Sequence, residues 1–127
     1  NEKIKKNTDI YIVDTYGETV SFFKICNVVF LGGSLINHGG QNPIEAARNG
    51  CKIIYGPNIR NFKEVYELLD KNKVSNKVRN EEQLARKVNI LIKSNKISKK
   101  LENKINKLGK KILENVLSEF KVYLDKI

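Results

Sequence analysis

Residues 28–57 read VVFLGGSLINHGGQNPIEAARNGCKIIYGP, and this stretch decides the fold. It opens with the apolar run Val28-Val29-Phe30-Leu31, closed by Gly32-Gly33, and ends with Lys52 to Tyr55, closed by Gly56-Pro57. Both runs are short, rich in β-branched and aromatic residues, and almost continuously apolar, the pattern of strands covered on both faces. Between them, residues 43–49 predict a two-turn helix stopped by Gly50. Strand, helix and strand in succession describe a parallel pair with a crossover, the building unit of an α/β sheet.

Working outward, Ile10-Tyr11-Ile12-Val13 predicts another strand, ended by a turn at Tyr16-Gly17, and residues 18–25 predict a short helix through Val20, Phe22, Phe23 and Ile25. Downstream, residues 62–71 predict a helix with Phe62, Val65, Tyr66, Leu68 and Leu69 inward, followed by a weaker strand over Val74 to Val78 that Asn and Lys interrupt. The rest is helical. Asn80 and Gln83 resemble a capping box, with Glu81 and Glu82 in the first turn. Leu84, Val88, Leu91 and Ile92 recur at helical spacing, and so do Ile97, Leu101, Ile105, Leu108, Ile112, Val116, Phe120, Leu124 and Ile127, with Gly109 as a candidate break. The expected architecture is an α/β parallel sheet over residues 1–79 followed by basic amphipathic helices over 80–127.

The 127 residues are 40% hydrophobic and suffice for one small core. No apolar run approaches the ~20 residues of a membrane span. No secretory signal is read at the N-terminus, where Lys3, Lys5 and Lys6 lead into a strand pattern, so the chain is expected in the cytoplasm or peripheral to a membrane. Cys26 and Cys51 lack C-x-x-C spacing and are expected to be reduced core thiols. The net charge of +10 comes entirely from residues 71–127, which hold sixteen Lys/Arg against six Asp/Glu. Such a basic half favours an anionic surface.

The chemistry concentrates between Gly32 and Ala47. In open α/β sheets, ligands sit at the carboxyl ends of strands. Gly32, Gly33, Gly39 and Gly40 let backbone approach a ligand, and the helix start at Pro43 offers free N–H groups. Asn42, Pro43 and Glu45 also fit an N-cap, a first-position proline and a capping-box glutamate, which accounts for all three locally. Local capping does not account for the glycine-rich loop, nor for a second polar loop, Asp14-Thr15-Tyr16-Gly17-Glu18, after the preceding strand pattern. Together these describe one nucleotide or sugar-phosphate site. His38 reads equally as a phosphate contact or a solvated turn residue.

The runs DTYGE (14–18), VVFLGGSL (28–35), HGGQNPIEAA (38–47) and IIYGPNIRNF (53–62) are similar, in order and spacing, to the C-terminal domain of the Kdo (3-deoxy-D-manno-octulosonic acid) transferases. The resemblance covers residues 9 to about 70, and the basic helices fit more loosely. It implies a GT-B enzyme of two Rossmann-like domains that transfers Kdo, with inversion, from CMP-Kdo to a lipid A precursor. It implies no obligatory metal and no cofactor beyond the donor substrate. By resemblance, CMP binds through Tyr16, Gly17 and Glu18, with Tyr16 standing where the family carries methionine, and through Asn42, Pro43, Ile44 and Glu45. A carboxylate such as Glu45 can accept both ribose hydroxyls. Ser34, His38, Gly39 and Gly40 are candidate donor contacts, although the family does not fix histidine at position 38. The family's general base is a glutamate of the N-terminal domain with no counterpart here, so no catalytic residue is expected in this chain. The acceptor would be held by that domain, at the cytoplasmic face of the bacterial inner membrane.

Two other readings compete. A UDP-sugar transferase or epimerase would also pair glycine loops with a ribose-binding glutamate. A basic nucleic-acid-binding module would use the lysine-rich helices, but these lack the interleaved aromatics of a single-strand binder, and nucleic acid is not expected as a partner.

Overall fold

A computed structural model describes residues 4–126, with the Ile112 side chain and Ile127 of the apolar stripe outside the described residues. The elements run α1 (Thr19–Ile25), β1 (Val28–Phe30), α2 (Ile44–Arg48), β2 (Lys52–Tyr55), α3 (Lys63–Lys71), β3 (Ser75–Lys77), α4 (Glu81–Leu91) and α5 (Lys99–Leu124). The three strands form one parallel sheet in the order β1-β2-β3. Val28 to Phe30 pair with Lys52 to Ile54, and Ile53 to Tyr55 pair with Ser75 to Lys77. The weak strand at Val74 to Val78 is thus real, although only its middle pairs.

β2 is central and buried on both faces, as its apolar run requires. Ile53 and Tyr55 join the main core with Ala46, Ala47, Tyr66, Leu69, Val74 and Ile97, and Leu101 and Ile105 of α5 pack against the same cluster. Ile54 is equally buried but lies outside that cluster, as strand alternation demands, and α4 approaches β2.

Two helix ends aim the chain into the sheet by the same device. After α2, Cys51 N–H donates to the Ala46 carbonyl (3.1 Å) and Gly50 N–H to Ala47 (3.0 Å), with Gly50 left-handed at φ 81°. After α3, Val74 N–H donates to Leu69 (3.0 Å) and Lys73 N–H to Asp70 (2.9 Å), with Lys73 at φ 57°. Both are Schellman motifs, which satisfy orphan carbonyls and drop a buried residue, Cys51 or Val74, onto the core. Lys96 adds a cation there: its Nζ donates to the carbonyls of Phe23 and Asn49 (both 2.7 Å), tying the C-terminal ends of α1 and α2 together. Both cysteines are free, and the buried Cys51 thiol donates to Phe23 and Cys26 carbonyls.

Three expectations are corrected. Residues 10–13 are not a strand: Ile10 and Ile12 are 81% and 82% exposed in irregular backbone. A β-branched run becomes a strand only where a neighbour completes its ladder, and β1 offers no such pairing to these residues. Gly109 does not break α5, which runs through it for 26 residues. Its missing side chain costs helix propensity, but the Leu101 and Ile105 contacts hold the register. At α2, Pro43 rather than Asn42 occupies the cap position, since the Pro43 carbonyl accepts the first helical bond, from Ala47 N–H (3.0 Å). Asn42 still contributes, its Oδ1 accepting from Ile44 N–H at 3.0 Å. The capping-box contact of Glu45 is not formed among the described residues. At α4 half of the expected box forms, Asn80 Oδ1 accepting from Gln83 N–H (2.9 Å), while Gln83 Oε1 reaches back past the cap residue to Arg79 N–H (2.9 Å).

Candidate functional site

The loops leaving β1 and β2 are locked together through Ser34. This residue is fully buried; its hydroxyl donates to the Leu31 carbonyl (2.6 Å) and accepts from Gly56 N–H (2.9 Å). Its carbonyl accepts from Asn58 N–H (2.9 Å) and Asn58 Nδ2 (3.2 Å). The approach is so close that a Cβ at Gly56 would lie 2.3 Å from the Ser34 carbonyl oxygen. The two glycine punctuations seen in the sequence therefore meet in space, and Ser34, read as a candidate donor contact, braces the loops from inside.

The rest of the glycine loop folds over this brace. Gly40 N–H donates to Gly33 (3.1 Å), closing the loop, and Gly39 accepts from Asn61 N–H (3.4 Å). Gly33, Gly39 and Gly40 are all left-handed, with φ of 70°, 98° and 77°. At Gly40 a Cβ would press on Asn58 and Ile59 backbone, so the left-handed turn and the close approach both require glycine there. Tyr66 donates its phenol to the Gln41 carbonyl (3.0 Å), pinning the loop's exit to α3. Burial pushes the Tyr66 phenol up to about 12.

Around this scaffold the sequence-predicted residues scatter in accessibility. His38 is exposed and its ring covers Gly33; Gly39, Gly40 and Pro43 are buried; Asn42, Ile44 and Glu45 are exposed at the start of α2. Among the described residues no hydrogen bond engages the Glu45 carboxylate. Arg48, Asn49 and Asn106 share its surface depression. The loop Asp14–Glu18 is placed differently from expectation. With residues 10–13 irregular, it is the entry turn of α1 rather than a strand-end loop. Tyr16 is fully exposed, Gly17 is left-handed at φ 87°, and the Glu18 carbonyl accepts from Ser21 and Phe22 N–H groups. The Glu18 carboxylate accepts from the Thr15 hydroxyl. No hydrogen bond among the described residues joins this turn to the 32–45 loop.

The structure also displays what the sequence reading missed. Beside Gly39, a groove of about 280 Å³ is lined by Asn37, Pro57, Asn58, Ile59, Arg60, Lys63 and Lys77. Its cations come from the turn after β2, the first residue of α3 and the last residue of β3. The available signal was positional: Lys77 ends β3, and Arg60 and Lys63 belong to the turn and helix start that follow β2, on the carboxyl side of the sheet where ligands sit.

Comparison with known proteins matches residues 1–111 to the family described as glycosyl transferases group 1. Proteins named 3-deoxy-D-manno-octulosonic acid transferase are similar to the chain. The one from Rickettsia prowazekii is 32% identical over 124 residues, covering 93% of this chain and 27% of that protein. The Rickettsia conorii protein is 33% identical over 120 residues, 88% of this chain and 26% of its own length. The Haemophilus influenzae protein is 36% identical over 69 residues, 54% of this chain and 16% of its own length. The chain thus spans about a quarter or less of the length of these relatives.

Proposed function

We propose a donor-binding function on one premise: this chain belongs to the glycosyl transferases group 1 family. Its part is to hold the nucleotide of an activated sugar at the loops that close the parallel strands. The donor assigned is CMP-Kdo, the acceptor a lipid A precursor, and the process lipopolysaccharide biosynthesis. The observation that carries the reading is the match to proteins named Kdo transferase over 88% and 93% of the chain, which overlies the braced loop cluster.

The chemistry supports this division of labour. Glu45 projects an exposed carboxylate from the first turn of α2, available to accept two ribose hydroxyls. The left-handed glycines 33, 39 and 40 let the loop fold tightly under His38, Asn58, Ile59 and Asn61, which fixes the backbone that carries Asn42 and Glu45. By likeness to the family, Tyr16, Gly17 and Glu18 are the further nucleotide contacts, and the acceptor and the catalytic base come from outside this chain. Among the described residues no helix is long and apolar enough to cross a membrane. α5 exposes Leu113, Val116, Leu117 and Phe120 alongside Lys110, Lys111 and Lys121, a surface suited to the anionic cytoplasmic face of the inner membrane.

Titration with CMP and UDP, followed by backbone amide shifts, tests the donor. CMP is expected to shift residues 14–18 and 32–45 with millimolar affinity, and UDP to bind more weakly. Glu45→Gln should weaken CMP by ~1–3 kcal/mol, the range of a charged hydrogen bond, while Tm barely changes. Preference for UDP would favour the UDP-sugar reading, and shifts confined to α4 and α5 would remove the site altogether.

A further inference from the structure

The basic groove beside Gly39 has no part in the nucleotide contacts proposed above beyond that glycine's backbone, and its composition asks for a ligand of its own. We propose that it binds a phosphomonoester, the anionic group of a second small ligand seated next to the donor. Arg60 is exposed, and its guanidinium donates only to a neutral acceptor, Asn37 Oδ1, at 3.3 Å. Lys63 lies 4.0 Å from Glu67, with both side chains more than half exposed, a pair of little strength. Lys77 forms no ion pair among the described residues. No carboxylate lines the groove, so three cations surround a concave space without internal compensation.

A concave surface with charge of one sign concentrates field and attracts a counter-ion of matching multiplicity. Three cations suit a phosphomonoester, which carries a charge of about −1.5 to −2 at neutral pH, better than a singly charged carboxylate. Arg60 supplies the planar fork that grips two phosphate oxygens, and the lysines act as point charges. The floor is already fixed: Asn58 is held by two bonds to the Ser34 carbonyl, and Asn61 N–H by Gly39. Only side-chain ends need ordering on binding, which lowers its entropic cost. The groove is a single depression without lining aromatics, which distinguishes it from a track for a polynucleotide.

The test titrates the full chain with glucose 1-phosphate at low salt, following amide shifts, with and without saturating CMP. Saturable shifts are expected at Asn37, Asn58 to Arg60 and Lys77. Affinity should fall about tenfold in Arg60→Gln and in Lys77→Gln, as loss of a charge-assisted contact predicts, and stay unchanged in Glu45→Gln. Both substituted side chains are exposed, and circular dichroism checks that the variants fold. Binding should persist when CMP is present, and inorganic phosphate should reproduce the shift pattern more weakly. Displacement by CMP would make the groove the nucleotide's own phosphate pocket and overturn the proposal. So would linear shifts spread over the lysines of α4 and α5, or affinity indifferent to Arg60 and Lys77. If CMP fails to bind while glucose 1-phosphate behaves as expected, the donor reading fails and this one stands.

Discussion

At the scale of single residues, Ser34 and Gly56 show how two separate motifs become one structure. Ser34→Ala deletes a buried hydroxyl that serves both loops and leaves Gly56 N–H without an acceptor, at a cost of ~1–3 kcal/mol. Gly56→Ala is expected to cost at least as much, because the new methyl meets backbone that cannot swing aside. Denaturant unfolding of the two variants measures both, and a Gly56→Ala protein as stable as wild type would break the account of the brace. A glycine after a strand is visible in the sequence, but the atom it must clear, 22 positions upstream, is not. Buried phenols give a second prediction. Burial raises Tyr66 to about 12 and raises Tyr55 as well, reinforced there by its hydrogen bond to Asp70. The unfolded chain ionises these groups near their ordinary value of 10, so above that pH it holds fewer protons than the folded chain. Stability is therefore complete below pH 10 and falls as pH rises towards 12. Tyr66→Phe should flatten the decline of Tm over that window, at a neutral-pH cost of ~1 kcal/mol for the lost bond to Gln41.

At the scale of elements, what the sequence disclosed follows how local the cause was. β1, β2, α1, α2 and α3 were legible because apolar periodicity and the glycine stops lie within each segment. Gly50 was readable as a helix stop for the same reason. Its counterpart Lys73, in the same left-handed role, carries no such mark, since the burial of Val74 on Leu69 compensates the strain. The run at 10–13 misled because strand identity depends on a partner, and the sequence of one segment does not contain its neighbour. Gly109 misled in the other direction: helix propensity is a small quantity, and packing through Leu101 and Ile105 outweighs it. The same position offers a prediction. A Cβ at Gly109 meets nothing within 4 Å, and the residue borders an apolar cavity of about 60 Å³ lined by Ile44, Val65, Leu68, Ile105 and Leu108. Gly109→Ala should therefore stabilise the chain by ~1 kcal/mol through helix propensity, with the methyl entering open apolar space. Thermal denaturation should show Tm raised by a few degrees, and a lowered Tm would mean that α5 needs flexibility at that point.

At the scale of the whole molecule, the candidate site was only partly legible. The glycine loop and Glu45 were marked by their own spacing, whereas Arg60, Lys63 and Lys77 are three ordinary cations until the parallel sheet brings three strand ends to one edge. The same geometry bears on what this chain does alone. Inverting sugar transfer needs a base to take the acceptor's proton while the donor's anomeric carbon is attacked. The carboxylates near the loops are few. Glu18 accepts from the Thr15 hydroxyl in an exposed turn, Asp14 lies in the same turn, and Glu45 stands at the start of α2 in the position proposed for ribose. Among the described residues no hydrogen bond joins the 14–18 turn to the 32–45 loop, and no carboxylate lines the groove beside Gly39. On the proposed reading both the base and the acceptor are supplied from outside this chain, and proximity and proton transfer are each worth several orders of magnitude. The 127 residues, about a quarter of the length of the Rickettsia relatives, should therefore bind CMP yet release no product. Incubating the purified chain with CMP-Kdo and a lipid A precursor, and analysing the lipid by mass spectrometry, checks this. Sugar-bearing lipid above the enzyme-free control would place the base inside this chain, and a Glu45→Gln or Glu18→Gln protein that still binds CMP but makes no product would reassign that carboxylate from binding to catalysis.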